Sequence, residues 1–248
     1  MTSADPTQVL LAGDWHGNRE WAAECFAVAE ARGCQVILQL GDFGLWPGRE
    51  DEWLDHVDGL GAASGVSLVW IDGNHEDHDS LDRWRAGADE RGLVQMRRNV
   101  VWASRGARWE WSGWRFGALG GAVSLDRFLR RAGVNWWPQE IVEATDVERL
   151  GDEPLDVLAT HAGPTSGAES RPLPLPEPIV RDNQMVRDRI AEAVRRSRPR
   201  LVVHGHYHRR LSYQFEGIQV EGLAHDRARD GDGWAVLDLR DGIALSKD

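Results

Sequence analysis

The stretch QVLLAGDWHGNREWAAECFAVAEARGCQVILQLGDFG, residues 8–44, decides the fold because it contains two apolar runs separated by an amphipathic segment. The apolar runs QVLLAG (8–13) and QVILQL (35–40) are typical of buried strands. The segment between them, EWAAECFAVAEARG (20–33), has the apolar spacing of a helix and ends in glycine. Strand, helix and strand with short connections predict a parallel βαβ unit.

The same pattern continues outward from this unit. A second helix is predicted for DEWLDHVDGLGAA (51–63) and a third buried strand for VSLVWI (66–71). Further along, LDVLAT (155–160) and LVVHGH (201–206) are also typical of buried strands, and QMVRDRIAEAVRRS (184–197) is typical of a helix. The predicted fold class is therefore α/β with a parallel core.

The remaining segments predict what surrounds that core. Short alternating stretches at 100–121 and after residue 211 indicate antiparallel strands on both sides of it. Residues 124–150 form a cap-like excursion with two predicted helical pieces, and RPLPLPEP (171–178) predicts an extended surface loop. Because no linker interrupts the chain, we expect residues 1–248 to form one domain.

The composition excludes several classes of protein. The 248 residues include 40 acidic and 29 basic side chains, and the resulting charge of −11 disfavours extended nucleic-acid binding. No apolar run approaches the ~20 residues that span a membrane. With two cysteines, Cys25 and Cys34, and an N-terminus unlike a secretory signal, the expected location is the cytoplasm. The oligomeric state stays open.

Polar residues follow five of the predicted strands, at the edge where α/β sheets bind their ligands. These residues are Asp14 and His16, then Asp42, then Asn74 and His75, then His161, and finally His206 and His208. Oxygen and imidazole groups suit manganese, iron, zinc, nickel or magnesium. Because they are too many for one ion, a pair of ions sharing a carboxylate is the natural arrangement.

Each of these signals has an ordinary structural explanation when taken alone. A single histidine on a strand usually packs or meets solvent, and the Gly-Asp and Gly-Asn pairs are common in turns. Their conjunction in order, each at the end of a strand, is what indicates a metal site.

The same motifs resemble those of a known family. The sequences DxH (14–16), GD (41–42), GNHE (73–76), His161 and GHxH (205–208) are similar to the five motifs of the calcineurin-like metallophosphoesterases. The segment at 105–124 also resembles a hairpin of bacterial and phage members. The resemblance implies a four-layer α/β/β/α sandwich with mixed sheets.

It also implies a role for each motif residue. A first metal ion would be held by Asp14, His16, Asp42 and His208, and a second by the shared Asp42 with Asn74, His161 and His206. The implied reaction is phosphate-ester hydrolysis by a metal-bridging hydroxide, with His75 as general acid and Asn74 also touching the phosphate. The cofactors would be two divalent ions, manganese first, with iron, zinc, nickel, cobalt or magnesium as alternatives.

The substrate is narrowed by a departure from one branch of the family. Protein Ser/Thr phosphatases usually carry GDxVDRG at the second motif, whereas this chain has GDFGLWPG (41–48). We therefore expect a small phosphate ester, and favour phosphodiesters, including cyclic nucleotides. A phosphomonoesterase or a protein phosphatase is the alternative, and a nuclease or a non-catalytic scaffold is less favoured.

The excursion and two motif neighbours offer further candidates. Arg130 is a candidate substrate contact, since a guanidinium binds phosphate in two places, with a solvated arginine as the equal alternative. Asp72 and Glu76 flank the histidine of the third motif, and either could orient its imidazole, with a solvated acid as the equal alternative. His78 is expected at the surface, and Asp226 is a weak candidate for a supporting role.

Overall fold

The structure, a computed structural model, describes residues 5–164, 175–228 and 231–246. The strands are β1 (Gln8–Ala12), β2 (Val36–Gln39), β3 (Ser67–Trp70), β4 (Leu93–Arg97), β5 (Val100–Ala103), β6 (Arg108–Trp111), β7 (Trp114–Leu119), β8 (Val157–Thr160), β9 (Leu201–His204), β10 (Leu211–Phe215), β11 (Ile218–Gly222), β12 (Trp234–Asp238) and β13 (Ala244–Ser246). The helices are α1 (Arg19–Ala31), α2 (Glu50–Ser64), α3 (His78–Arg85), α4 (Ala144–Leu150) and α5 (Glu177–Ser197).

The strands form two mixed sheets. The first sheet has the order β13-β12-β1-β2-β3-β5-β4, in which β1, β2, β3 and β5 are parallel. The second sheet has the order β10-β11-β9-β8-β7-β6, in which β11, β9, β8 and β7 are parallel. Antiparallel strands flank the parallel strands on both sides of each sheet. The predicted α/β class, a parallel core with antiparallel flanks, is confirmed.

Alternate residues of the buried strands face different cores. In β1, Val9 and Leu11 pack in a core shared with side chains of β6 to β9, so this core lies between the sheets. Leu10 and Ala12 instead pack with buried side chains of α1 and α2. A third core joins β8, β9 and β11 to α4 and α5. This alternation is what a sandwich of helices, sheet, sheet and helices requires.

The helix ends follow local chemistry. Before α1, the Asn18 side chain accepts hydrogen bonds from the backbone N–H groups of Glu20 and Trp21, both at 3.1 Å. After α2, Gly65 takes a left-handed conformation with φ of 72°. None of the helices within the three described ranges is long and apolar enough to cross a membrane.

The excursion and the start of α5 differ from the sequence prediction. The excursion holds two 3₁₀ turns and the short helix α4 instead of two helices, because Pro138 sits at the start of the second turn and fixes its backbone. Helix α5 begins at Glu177, where Pro178 is tolerated in the first turn. Of the loop predicted for 171–178, the last two residues are therefore helical. Residues 171–174 lie outside the described residues.

Candidate metal centre

Five strands bring the predicted metal ligands to one edge of the two sheets. Asp14, His16, Asp42 and His208 each offer one ligand atom, and these four atoms lie within 4.8 Å of one another. Both carboxylates are buried, with Asp14 fully covered. The structure thus brings together the four residues that the resemblance assigns to the first metal ion.

The residues assigned to the second ion lie beside this group. His161 Nε2 is 3.1 Å from Asn74 Oδ1 and 3.4 Å from Asp42 Oδ1. The rings of His161 and His206 have their centroids 5.1 Å apart. Asp42 Oδ2 is directed to the other group and lies 3.5 Å from His16 Nε2. Asp42 therefore stands between the two sets of residues.

Four of these residues hold an unusual backbone conformation. The φ angles are 46° at His16, 52° at Asp42, 66° at His206 and 56° at His208. Residues other than glycine rarely take this left-handed conformation, and such positions cluster at functional sites. The turns after β1, β2 and β9 are thus shaped to present these side chains.

Two glycines of the motifs are needed because carboxylates approach them closely. A Cβ atom on Gly73 would lie 2.2 Å from Asp42 Oδ1, and one on Gly205 would lie 2.2 Å from Asp14 Oδ1. Any side chain at either position would displace a buried carboxylate. The glycines therefore serve the geometry of the site as well as the turns.

Backbone hydrogen bonds hold the two carboxylates in place. The N–H of His206 donates to Asp14 Oδ1 and the N–H of His75 donates to Asp42 Oδ1, both at 2.9 Å. The second oxygen of Asp14 is buried and accepts no hydrogen bond from the described residues, although it lies 3.1 Å from His208 Nε2. A buried carboxylate oxygen without a hydrogen bond fits a bound cation.

Two histidines are oriented through their Nδ1 atoms. His161 Nδ1 lies 2.7 Å from the Leu40 carbonyl oxygen, and His16 Nδ1 lies 3.0 Å from Asp226 Oδ1. Each acceptor draws the Nδ1–H, so Nε2 is left to face the two carboxylates. Metal-binding histidines use this arrangement to fix their tautomer and ring direction.

The carboxylates and imidazoles shift one another's pKa values. Burial alone would raise the pKa of Asp42, but His75, His161 and His16 outweigh it and hold that pKa well below the usual range. Burial alone would lower the pKa of the histidines, but Asp42 and Asp14 raise it to about 9 for His16 and about 10 for His161. The two buried carboxylates thus stabilise protonated imidazoles beside them, and a bound cation would replace those protons, since metal ligands bind in their deprotonated form.

His75 and Arg130 lie next to each other at the mouth of the site. His75 Nε2 is 3.9 Å from Asp42 Oδ2 and 3.4 Å from Arg130 Nη2. Two hydrogen bonds to Asp126, at 2.7 and 2.8 Å, hold the Arg130 guanidinium in this position. Burial lowers the pKa of His75, against the opposing effect of Asp42. Among the described residues, Asn74 also places a donor near this ring nitrogen, at 3.1 Å.

Asp72 and Glu76 fit neither alternative offered by the sequence, because they neither orient His75 nor meet solvent. Neither bonds to that ring within the described part of the chain. Asp72 accepts a 2.7 Å bond from Arg105, and Glu76 accepts a 2.5 Å bond from the N–H of Gly73. Both carboxylates are buried beneath the site, where they stabilise the turn after β3 and the base of the excursion.

His78 is the other residue that was misplaced by sequence reasoning. It begins α3, but it is buried rather than exposed, and its ring centroid lies 6.5 Å from that of Trp137. Burial lowers its pKa to about 4, so the imidazole is neutral and packs as an uncharged side chain.

Three supporting residues lie outside the motifs, and only the weak candidate Asp226 was noticed in the sequence. Asn74 Nδ2 donates to Ser124 Oγ at 3.0 Å, and Ser124 Oγ donates to Glu140 Oε2 at 2.5 Å. On the other side of the site, Asp226 contacts His16. Only burial in the folded chain distinguishes these three residues from ordinary polar positions.

Two clefts open from the site, and they share His16, Trp46 and His208. The first has a volume of about 460 Å³, and its further lining is Pro47, His75, Arg130, Val134, Asn135 and Trp137. The second has a volume of about 480 Å³, and its further lining is Asn18, His225, Asp226 and Arg227. Trp46 is partly exposed between them. Each cleft is large enough for a small organic group.

The fold is similar to that of solved structures. Protein TT1561 of Thermus thermophilus superposes with a TM-score of 0.63 at 13% identity, over 97% of this chain and 98% of that one. A dimetal phosphatase from Danio rerio gives 0.62 at 13% identity, over 98% and 96%. GAP50, the anchor in the inner membrane complex of Plasmodium, gives 0.56 at 10%, over 97% and 84%. At these identities the likeness concerns the fold alone.

The sequence itself matches a family model. No curated protein sequence matches the chain significantly. The model of the calcineurin-like phosphoesterases matches residues 7–210, which is most of the chain and includes every motif described above. The chain therefore belongs to the calcineurin-like phosphoesterase family and is a hydrolase of phosphate esters.

Proposed function

We propose that the protein hydrolyses small phosphodiesters with the help of two divalent metal ions. The observation that carries this proposal is the position of Asp42, a buried carboxylate that faces His16 with one oxygen and His161 with the other. A carboxylate between two sets of ligands is the arrangement that two ions ~3.5–4 Å apart require.

The donor groups fit divalent cations of intermediate hardness. The two proposed sets contain only carboxylate, amide and imidazole groups: Asp14, His16, Asp42 and His208 in one, and Asp42, Asn74, His161 and His206 in the other. Burial, helped by His161, lowers the pKa of His206 to about 3, so its imidazole is neutral, as a ligand must be. Bound divalent ions supply an activated water and neutralise charge on the phosphoryl oxygens. We favour manganese, with iron, zinc, nickel, cobalt or magnesium as alternatives.

The residues at the mouth of the site would act on the substrate itself. Arg130, fixed by Asp126, is placed to bind phosphoryl oxygens beside the ions. His75 is the proposed proton donor to the departing oxygen, and it lines the same cleft as Arg130. Because donors of Arg130 and Asn74 face its Nε2 atom, the ring must first take up a proton to serve as an acid.

The two clefts favour a diester over a monoester. A phosphodiester carries two substituents on the phosphorus atom, and two clefts, of about 460 and about 480 Å³, both have His16 and His208 in their lining. A monoester would fill only one of them. The departing group would lie in the cleft that contains His75.

We also propose that residues 1–248 work as one domain. The first sheet carries Asp42 and the second carries His161, and the two residues meet across the contact between the sheets. Neither sheet alone would hold the site.

The proposal rests on the ligand set and not on the fold. GAP50, which has a similar fold, is described as an anchor, and a scaffold without catalysis stays the less favoured alternative. The similar Danio rerio protein is a dimetal phosphatase, which keeps phosphomonoesters and phosphoproteins as further alternatives. The net charge of −11 continues to disfavour a nuclease.

The test compares substrates and metals on one preparation. The protein is stripped with a chelator, reloaded with each metal, and assayed on bis(p-nitrophenyl) phosphate, p-nitrophenyl phosphate and a phosphopeptide. We expect metal-dependent turnover, fastest on the diester. A preference for the monoester or the phosphopeptide would replace the substrate class, and no turnover with any of the metals would favour the scaffold.

A further inference from the structure

Two carboxylates outside the family motifs each contact one of the two proposed ligand sets. Glu140 lies in the excursion and Asp226 lies in the loop after β11. We propose that both are positioning residues for metal binding: Glu140 fixes the Asn74 amide through Ser124, and Asp226 fixes the His16 imidazole. The inference rests on the proposed function, because it assigns one carboxylate to each metal ion.

The direction of the Asn74 amide is what Ser124 controls. Only the oxygen of an amide can bind a cation, since the nitrogen has no free electron pair. In the structure Asn74 Oδ1 is directed into the site, 3.1 Å from His161 Nε2. Its Nδ2 atom donates to Ser124 Oγ at 3.0 Å. If that bond were lost, the amide could rotate and turn its nitrogen toward the cation.

Glu140 decides which way the Ser124 hydroxyl is directed. Ser124 donates to it twice, from the backbone N–H to Oε1 at 2.9 Å and from the hydroxyl to Oε2 at 2.5 Å. Because the hydroxyl proton is used in this way, Oγ is left to accept a hydrogen bond from Asn74. All three residues are buried, so water does not compete for these bonds.

Arg105 links the backbone of Glu140 to the turn after β3, which also carries Asn74. Arg105 is buried and donates to the carbonyl oxygens of Glu140 at 3.2 Å and Ile141 at 2.7 Å. The same guanidinium donates to Asp72 at 2.7 Å, two residues before Asn74. The same guanidinium therefore fixes the backbone near Glu140 and near Asn74. This part of the excursion thus supports the proposed metal site.

Asp226 performs the corresponding task for His16. Its Oδ1 atom lies 3.0 Å from His16 Nδ1, and its Oδ2 atom accepts a 2.8 Å bond from Asn18 Nδ2. The oxygen of that Asn18 side chain caps α1, so the amide cannot rotate freely. A largely buried carboxylate held at one oxygen and bonded to a histidine at the other keeps Nε2 directed at Asp14 and Asp42.

The experiment measures metal affinity as well as activity. Chelator-stripped protein is titrated with manganese by calorimetry, for the wild type, Glu140→Gln and Asp226→Asn. A glutamine must place its NH₂ group against one of the two Ser124 donors, and an asparagine must place its NH₂ against the His16 or the Asn18 donor. Supporting residues of this kind change metal affinity by about 10–100-fold. Each variant should therefore lower the affinity for one of the two ions by that factor.

Matched controls separate positioning from a general loss of charge. Glu148→Gln in α4 and Asp241→Asn after β12 change exposed carboxylates, and both variants should bind manganese as the wild type does. Ser124→Ala provides a second variant for the first arm, should Glu140→Gln fail to fold. Thermal unfolding of the metal-free proteins is measured alongside, because a merely structural role lowers Tm and leaves the affinity of the folded protein unchanged.

A double-mutant cycle assigns each carboxylate to its ligand. Glu140→Gln should cause no further loss of affinity when Asn74 is already alanine, and Asp226→Asn none when His16 is already alanine. Unchanged affinity in both single variants, or losses that simply add in the cycles, would overturn the inference. A wild-type protein that binds fewer than two ions would instead overturn the proposed function.

Discussion

The two sheets contribute different chemistry to one site. The first sheet supplies every proposed oxygen ligand, from Asp14, Asp42 and Asn74, whereas the second supplies only imidazoles. The pKa values show the consequence. Burial would lower the pKa of His161, on the second sheet, but Asp42, on the first, raises it to about 10. Each sheet alone is thus unbalanced in charge, and the site exists only where they meet.

A consequence is that the packing between the sheets also determines the geometry of the proposed site. The core between them contains Leu38 and Leu40, next to Asp42, and Ala159, next to the strand end that carries His161. The carbonyl of Leu40 itself accepts the Nδ1–H of His161 across the contact. The apolar core and the candidate metal centre therefore share one boundary.

The largest effect is expected when Asp42, which faces both proposed ligand sets, loses its charge. Asp42→Asn keeps the size of the side chain but removes the anion opposite His16 and His161. We expect diester hydrolysis to fall by about 10³-fold, the order seen when a key electrostatic group is removed. Metal content per chain, measured by elemental analysis, should fall with it.

The exposed Asp82→Asn on α3 serves as the control for Asp42→Asn. This control should keep both metal content and rate. If Asp42→Asn retained two ions, Asp42 would not be the residue that joins the two sets.

The next effect separates proton donation from metal binding. His75→Ala leaves all seven proposed ligands in place and should lower kcat by about 10²–10⁴-fold on esters whose leaving group needs a proton. The loss should be much smaller on bis(p-nitrophenyl) phosphate, because nitrophenolate departs without one. The ratio of the rates on diphenyl and bis(p-nitrophenyl) phosphate measures this difference. An equal loss on both substrates would assign His75 a different role.

A smaller effect is expected at the excursion. Arg130→Ala removes a guanidinium that Asp126 holds beside His75, and we expect kcat/KM to fall about tenfold, the worth of one charged hydrogen bond. Arg131→Ala, the neighbouring exposed arginine, should change little. Equal effects of the two variants would mean that only the local charge matters.

The sequence was most informative where chemistry and periodicity coincided. The apolar run at 8–13 predicted β1, and the residues after it, Asp14 and His16, do meet the ligands from the other strands. The run at 93–97 was not recognised as β4, because its polar residues make it look like a loop and its pairing with β5 contains an irregularity.

Of the two supporting carboxylates, the sequence did not indicate Glu140 and offered Asp226 only as a weak candidate, for a different reason. Glu140 follows a proline in an irregular excursion, and Asp226 stands in a loop rich in charged residues. Nothing local distinguishes them from solvated acids. Their importance comes from burial and from partners far along the chain, Asp226 lying 210 residues from His16. Such contacts depend on how the two sheets and the excursion pack, and a linear pattern does not encode that.

The smallest expected effect concerns Glu140 and Asp72, two buried carboxylates whose pKa values shift in opposite directions. Burial raises the pKa of Glu140 to about 7 from 4.5, against the opposing bonds from Ser124. The folded chain thus holds this proton more tightly than the unfolded chain does. Its contribution to the free energy of unfolding is complete below pH 4.5 and is lost as the pH rises toward 7, with a slope of at most about 1.4 kcal/mol per pH unit. Glutamine cannot titrate, so the difference in unfolding free energy between metal-free wild type and Glu140→Gln should shrink from pH 5 to about pH 7 and level off above it in urea denaturation. Parallel curves would show that Glu140 is already ionised in the folded protein, as Asp72 is expected to be beside Arg105, whose charge outweighs burial and lowers the pKa of Asp72.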